Sequence, residues 1–111
     1  GHPLRAEVMD TRAARSRGLQ GRARLEDDEG MLFVFPRSLR PQFAMKTVSF
    51  PLSLGFIRTD GTLACIRRME PGGRVRARAP MPVRYVLEVN QGWFRSRGVT
   101  TGASVEFSSG E

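Results

Sequence analysis

Cysteine, histidine and lysine are almost absent from this chain: each occurs once in 111 residues, as Cys65, His2 and Lys46. One cysteine rules out a disulfide framework and a cysteine-based metal centre. The single histidine stands at the N-terminus, so no internal imidazole is available for a catalytic triad, a general base or a zinc site. No G-x-x-x-x-G-K-[ST] phosphate loop is present, and no G-x-G-x-x-G follows a strand pattern. The expectation is therefore no metal and no nucleotide cofactor. No apolar run approaches the roughly 20 residues of a membrane-spanning helix. The start, GHPLRAEV, has no apolar leader region, and residues 1–3 read as a tag remnant. The chain is expected to be a soluble domain, either cytoplasmic or exported with its leader removed.

Acidic residues are also sparse, with 11 Asp and Glu against 18 Lys and Arg, for a net charge of +7. Because Lys46 is the sole lysine, that excess is carried by arginine, whose planar fork of donors suits phosphate and carboxylate. Hydrophobic content of 40% and charged content of 26% fit a soluble globular domain with one modest core. The length allows a single domain over residues 1–111.

Apolar residues concentrate between Glu29 and Ile57, EGMLFVFPRSLRPQFAMKTVSFPLSLGFI, which includes Phe33, Phe35, Phe43, Phe50 and Phe56. Met31–Phe35 is an unbroken apolar run ended by Pro36. Phe43–Met45 follows a short Arg-containing turn, and Leu52–Ile57 is introduced by Pro51. Short apolar segments bounded by Pro and Gly predict buried strands, because helices usually need ten or more residues. Phe33, Phe35, Phe43, Phe56, Val86 and Leu87 are the expected core.

Around this stretch the chain is more local in character. Leu4–Val8 is a strand candidate. Asp10 is placed to cap a helix over Thr11–Arg17, which Gly18 stops and Leu19 folds back upon. Gln20–Asp28 reads as a charged surface connection. Thr59-Asp60-Gly61-Thr62 is a hairpin turn joining Gly55–Arg58 to Thr62–Arg68. In the second of these, Cys65 is expected as a small buried hydrophobe. Arg74–Pro82 reads as an Arg-dense loop, and Arg84–Val89 as an interior strand. Asn90 is expected to cap a second helix over Gln91–Arg97, stopped by Gly98-Val99, with Ser104–Phe107 as a last strand. Seven or eight strands and two short helices predict a mainly β domain: a small antiparallel β-sandwich or partly open barrel with helices at its ends.

In order and residue type, EGMLFVF, the FAMK strand, PLS and YVLEVNQGWFRSRG resemble the domain of unknown function 192 family from Val8 to Phe107. The opening DTRAARSRGLQGR resembles that family's first helix. The family's strand reads FWMKNT, so Lys46 matches while Ala44 and Thr47 replace Trp and Asn. Its PLD matches at Pro51 and Leu52, with Ser53 in place of Asp. The resemblance implies an uncharacterised prokaryotic domain and no particular reaction.

Three functions remain open on these residues. The first is a non-catalytic binding or interaction module for a small anionic or hydroxyl-rich ligand. Lys46 would sit beside a recess at Ala44, with Glu29 in reach and Trp93 contributing an aromatic wall. The second is weak, non-specific nucleic-acid or polyanion binding through Arg67, Arg68, Arg74, Arg76, Arg78 and Arg84. No aromatic residue interrupts this set before Arg84, so only charge attraction is expected. The third is a carboxylate-based hydrolase. It would draw on Glu29, Asp60 and Glu88, although Asp60 is already explained by its turn and Glu88 by the expected solvent face of its strand.

Overall fold

The computed structural model describes residues 1–72 and 76–108. In chain order its elements are β1 (Arg5–Met9), α1 (Arg12–Arg17), β2 (Glu29–Leu39), β3 (Gln42–Ala44) and β4 (Leu52–Ile57). They continue with β5 (Leu63–Met69), β6 (Arg76–Arg78), β7 (Val83–Asn90) and α2 (Trp93–Ser96). Five strands form one sheet in the order β1-β2-β7-β4-β5, and β3 pairs with β6 as a separate ribbon. The expectation of a mainly β domain with two short helices holds. The sheet is mixed because β1 runs parallel to β2, the connection between them carrying α1. It does not close into a barrel, and β1 and β5 are its edges.

The centre of the sheet is the sequence's most apolar part. Register aligns Phe33 with Val86 and Val86 with Phe56, putting these three side chains in one row on one face. The next row on that face is Met31, Glu88 and Leu54. Period-two alternation sends Leu32, Leu87 and Gly55 to the opposite face. The core is consequently two clusters rather than one. The first contains Met9, Leu19, Leu25, Met31, Phe33, Leu54, Phe56 and Val86, and the second Leu32, Ile57, Leu63, Leu87, Val89, Trp93 and Phe94. Of the expected core, Phe35 and Phe43 are half-buried at the margin of the first cluster, and so is Cys65.

The first face is covered by α1 and the β3–β6 ribbon. Thr11, not Asp10, caps α1: its Oγ1 accepts the Ala14 amide at 3.1 Å. Gly18 takes a positive φ of 48° and the following Leu19 is buried, the stop expected from Gly-Leu. Strand β2 runs past Pro36 to Leu39 through a register break after Val34, since Pro has no N–H to continue the ladder. The expected Arg-dense loop instead contains β6, where Ala77 packs inward opposite Phe43 and Arg76 and Arg78 point to solvent. Alternation of alanine with arginine is a faint strand signal, because alanine adds little apolar contrast.

The second face is covered by α2 and the segment after it. Asn90 does not cap this helix. Its amide donates to the Leu25 and Glu26 carbonyls at 2.8 and 3.3 Å, tying β7 to the connection before β2. Gly92, at φ 88°, starts the helix instead, and Val99 N–H bonds the Phe94 carbonyl at 2.9 Å to end it. Ser104–Phe107 is not a strand; it makes a single bridge from Ser104 to Thr62. Backbone bonds from Leu63 to Ala103 and from Val105 to Gly61 hold the segment against the β4–β5 turn.

Candidate binding site on the second face

Two cavities open on the second face. Alternation places Ser53 of β4 and Arg68 of β5 directly opposite one another on this face, with Gly55 and Ile66 as the next pair. Gly55 matters because Phe94 sits in the notch it leaves. A Cβ built there would meet Phe94 Cζ at 2.7 Å, so the glycine lets α2 lie close to the sheet. Beside that contact opens a cleft of about 500 Å³, lined by Ser53, Ile66, Arg68, Gln91, Phe94, Arg95 and the Gly98–Thr101 segment.

The polar groups of the cleft are ordered to different degrees. Ser53 is only 2% exposed, and its Oγ accepts the Gly92 amide at 3.1 Å. Its own hydroxyl hydrogen has no protein acceptor among the described residues. Gln91 is fixed on three sides: Oε1 accepts from Arg68 at 3.1 Å, and Nε2 donates to the Met69 carbonyl at 3.4 Å and to Glu70 at 3.1 Å. That contact holds the Arg68 guanidinium across the cleft. Arg95 takes no part in the ion pairs found among the described residues, which join Arg5 to Asp28, Arg22 to Glu7 and Arg24 to Glu26. Among the described residues, no carboxylate lines the cleft. It offers two guanidiniums, one buried hydroxyl donor and the hydroxyls of Thr100 and Thr101.

A larger cavity, about 720 Å³, lies farther along the same face towards β1. Its walls are mainly apolar, including Leu4, Leu32, Leu87, Trp93 and Val105. Trp93 and Phe94 are both buried, although neighbours on a helix point in different directions. The sheet takes Phe94 and the trailing segment takes Trp93, with the two rings edge to face at 5.3 Å. Arg97 stacks on Trp93 at 4.4 Å and also donates to the Asp27 carbonyl, which clamps α2 in place. The Trp93 indole N–H is buried without a partner among the described residues.

The residues singled out in the sequence are dispersed. Strand β3 ends at Ala44, so Lys46 sits exposed in the following turn, and it lines neither cavity. Glu29 accepts the Glu26 amide at 2.9 Å. Trp93 belongs to the second cluster, whereas Met45 beside Lys46 belongs to the first. Lys46, Glu29 and Trp93 are therefore not brought together. Arg67 and Arg68 point to opposite faces of β5, as neighbours on a strand must. Arg84 donates to the Phe35 carbonyl and is half-buried, and Arg74 lies outside the described residues.

The three carboxylates do not converge either. Asp60 accepts the Thr62 amide at 2.9 Å, and that bond holds its carboxyl below the usual range. Glu88 is the clear departure from expectation. It is not on a solvent face but in the first cluster's row, 6% exposed between Met31 and Leu54, and burial raises its pKa to about 8. The charge in VLEV gives the alternation a polar beat, and only the β3–β6 cover shows that this beat faces inward.

Against this geometry, a family model described as uncharacterized ACR, DUF192, matches residues 1–107. The chain belongs to the domain of unknown function 192 family. Two solved structures extend the comparison. A Sinorhizobium meliloti protein provisionally named a transcription regulator is 34% identical, with a TM-score of 0.89 over 93% of this chain and 81% of its own. A Novosphingobium aromaticivorans protein of unknown function is 30% identical, with a TM-score of 0.89 over 94% of this chain and 75% of its own. No curated protein matches the chain. Among the described residues, no helix of this DUF192 domain is long and apolar enough to cross a membrane, and no metal-holding cluster is present.

Proposed function

We propose that this DUF192 domain is a non-catalytic binding module whose ligand carries a small anionic group, held in the cleft between β5 and α2. The observation that carries the reading is the cleft's one-signed lining. Arg68 and Arg95 face a space with no carboxylate, and the buried Ser53 hydroxyl has a donor to give. An oxyanion would satisfy that donor and both guanidiniums through charge-assisted bonds, the stronger class of hydrogen bond. The resemblance adds a detail: Ser53 stands where the family usually has Asp, so the group opposite Arg68 is neutral here. Calorimetric titration with sulfate, phosphate and acetate tests it. Binding that weakens about tenfold in Arg68→Gln or Arg95→Gln is the expected result, the loss of roughly one good charged contact. Equal affinity in wild type and both variants would overturn it.

A second reading is weak polyanion binding by the ribbon, favoured by one observation: Arg76 and Arg78 both stand on the solvent side of β6. The provisional name of the Sinorhizobium protein points the same way. Such binding would show no sequence preference and would fall steeply between low and physiological salt. Titrating labelled DNA and RNA at two salt concentrations distinguishes it from the cleft, because Arg76→Gln would weaken it and Arg68→Gln would not.

A further inference from the structure

The two edges of the central sheet are finished differently. Strand β5 is covered where it begins: Leu63 donates to the Ala103 carbonyl at 2.9 Å and accepts from the Gly102 amide at 2.8 Å. Farther along it presents Arg67 and Arg68, two exposed charges of one sign, which oppose pairing with a like edge. Strand β1 is left open. Among the described residues its backbone bonds run only to β2 and to Asp28 just before it. It carries one exposed charge of each sign, Arg5 and Glu7, and Val8, a large apolar side chain left 52% exposed.

The ladder decides which groups of β1 face outward. Arg5 stands opposite Glu29, and its N–H donates to the Asp28 carbonyl at 2.9 Å. In a parallel pair, alternate residues of a strand bond to the neighbour and the rest turn their backbone groups away. Arg5, Glu7 and Met9 therefore bond to β2, and the N–H and C=O of Ala6 and Val8 point out of the sheet. Side chains alternate as well. Met9 lies in the first cluster, so Arg5 and Glu7 share the first face. Leu4 and Ala6 pack on the second cluster, and Val8 falls on that second face with them.

We infer that β1 is the interface for a second copy of this chain, joined antiparallel about a two-fold axis at Ala6, so that the two five-stranded sheets become one. Outward backbone groups must meet outward groups, and three registers keep most of the strand overlapped. They set Ala6 opposite Leu4, Ala6 or Val8 of the copy. The first puts Arg5 against Arg5 and the third Glu7 against Glu7, and like charges directly opposite destabilise a pair. The middle register instead sets Arg5 against Glu7 twice on the first face, and Leu4 against Val8 twice on the second. It is self-complementary, as a two-fold interface requires. Arg5 reaches Asp28 only at 3.5 Å with both side chains mostly exposed, so its guanidinium is free to turn across the axis. The contact is one short edge per copy, well below a standard interface of about 1,600 Å², so association is weak and concentration-dependent. Each copy carries +7, and their mutual repulsion is screened at about 0.15 M salt, where the Debye length is about 8 Å. The inference is independent of the anion cleft, which lies beside the other edge strand.

Sedimentation equilibrium of the full chain at about 0.15 M salt, over roughly 10 µM to 1 mM protein, tests it. The mass should rise reversibly with concentration towards that of a dimer. Arg5→Glu and Glu7→Arg should each weaken the dimer about tenfold, because each turns two attractive pairs into repulsive ones. Both exchanges in one chain should restore wild-type association. A register centred on Arg5 or on Glu7 would be indifferent to either exchange. Val8→Pro removes an outward N–H that β2 does not use, so it should abolish the dimer and leave thermal unfolding close to wild type. Deuterium exchange at the Ala6 and Val8 amides should slow as concentration rises, with the Glu7 amide equally protected throughout. A monomer over the whole range would overturn the inference. So would a dimer whose strength ignores the charge exchanges and Val8→Pro.

Discussion

The two faces of the central sheet are built from the same strands and covered very differently. The first face receives α1, the β3–β6 ribbon and the loops between them, and its cluster is continuous from Met9 to Val86. The second receives a helix of four residues and a trailing segment with almost no strand pairing, and both cavities open there. A cover that short cannot span five strands, so space remains on either side of Phe94. The contrast teaches that polar groups carry opposite meanings on the two faces. On the closed face, Glu88 is an expense of burial. On the open one, Arg68 and Ser53 line a space that a ligand can enter.

That contrast can be tested first by removing a ring from the closed face. Phe56 is fully buried beside Val86, and Phe56→Ala should cost about 3–5 kcal/mol in urea unfolding. A loss below about 1 kcal/mol would mean that the face is not packed as described.

The next largest effect is the pH dependence set by Glu88. Folding raises its pKa from 4.5 to about 8, so between those values the folded chain holds a proton that the unfolded chain has lost. Its penalty is absent below pH 4.5, grows as pH rises, and levels off above pH 8. From pH 4.5 to 7 that amounts to about 3 kcal/mol of lost stability. Glu88→Gln should abolish this slope, leaving the variant more stable than wild type near pH 8. Parallel pH profiles for the two proteins would contradict the burial of that carboxyl.

A smaller effect is expected at Gly55 on the second face, where α2 meets the sheet. An added methyl would collide with the Phe94 ring, and Gly55→Ala should cost about 1–3 kcal/mol while widening or distorting the basic cleft. Arg68→Gln comes last, with a stability change within about 0.5 kcal/mol, as for other exposed side chains. Loss of ligand binding with unchanged stability is what separates Arg68 from the core residues.

Much of the framework was legible in the sequence for definite reasons. Met31–Phe35 and Leu52–Ile57 are short apolar runs and Arg84–Val89 a short alternating one, all of strand length, and Asp60-Gly61 fixes the hairpin between β4 and β5. Gly18-Leu19 and Gly98-Val99 stop their helices through local chemistry. What was hidden depends on pairing at a distance. Strand β6 exists because Phe43 needs Ala77 opposite it. Asn90 abandons its capping role for the Leu25 carbonyl, 65 residues away in sequence. The site was legible in one residue of the cleft, Arg68, named as one of six arginines of equal standing. Ser53, Gln91 and Arg95 join it only through the register of β4 with β5 and the landing of α2 on Gly55. Lys46 drew attention by rarity, and rarity carries no information about concavity.

The most direct measurement is amide chemical-shift mapping of the labelled protein during a sulfate titration at low ionic strength. The account predicts saturable shifts at Ser53, Gln91, Gly92 and Gly98–Thr101, with the β3–β6 ribbon unmoved. Shifts centred on Gln42–Ala44 and Arg76–Arg78, or spread in proportion to exposed arginine, would contradict it and return the anion affinity to surface charge alone.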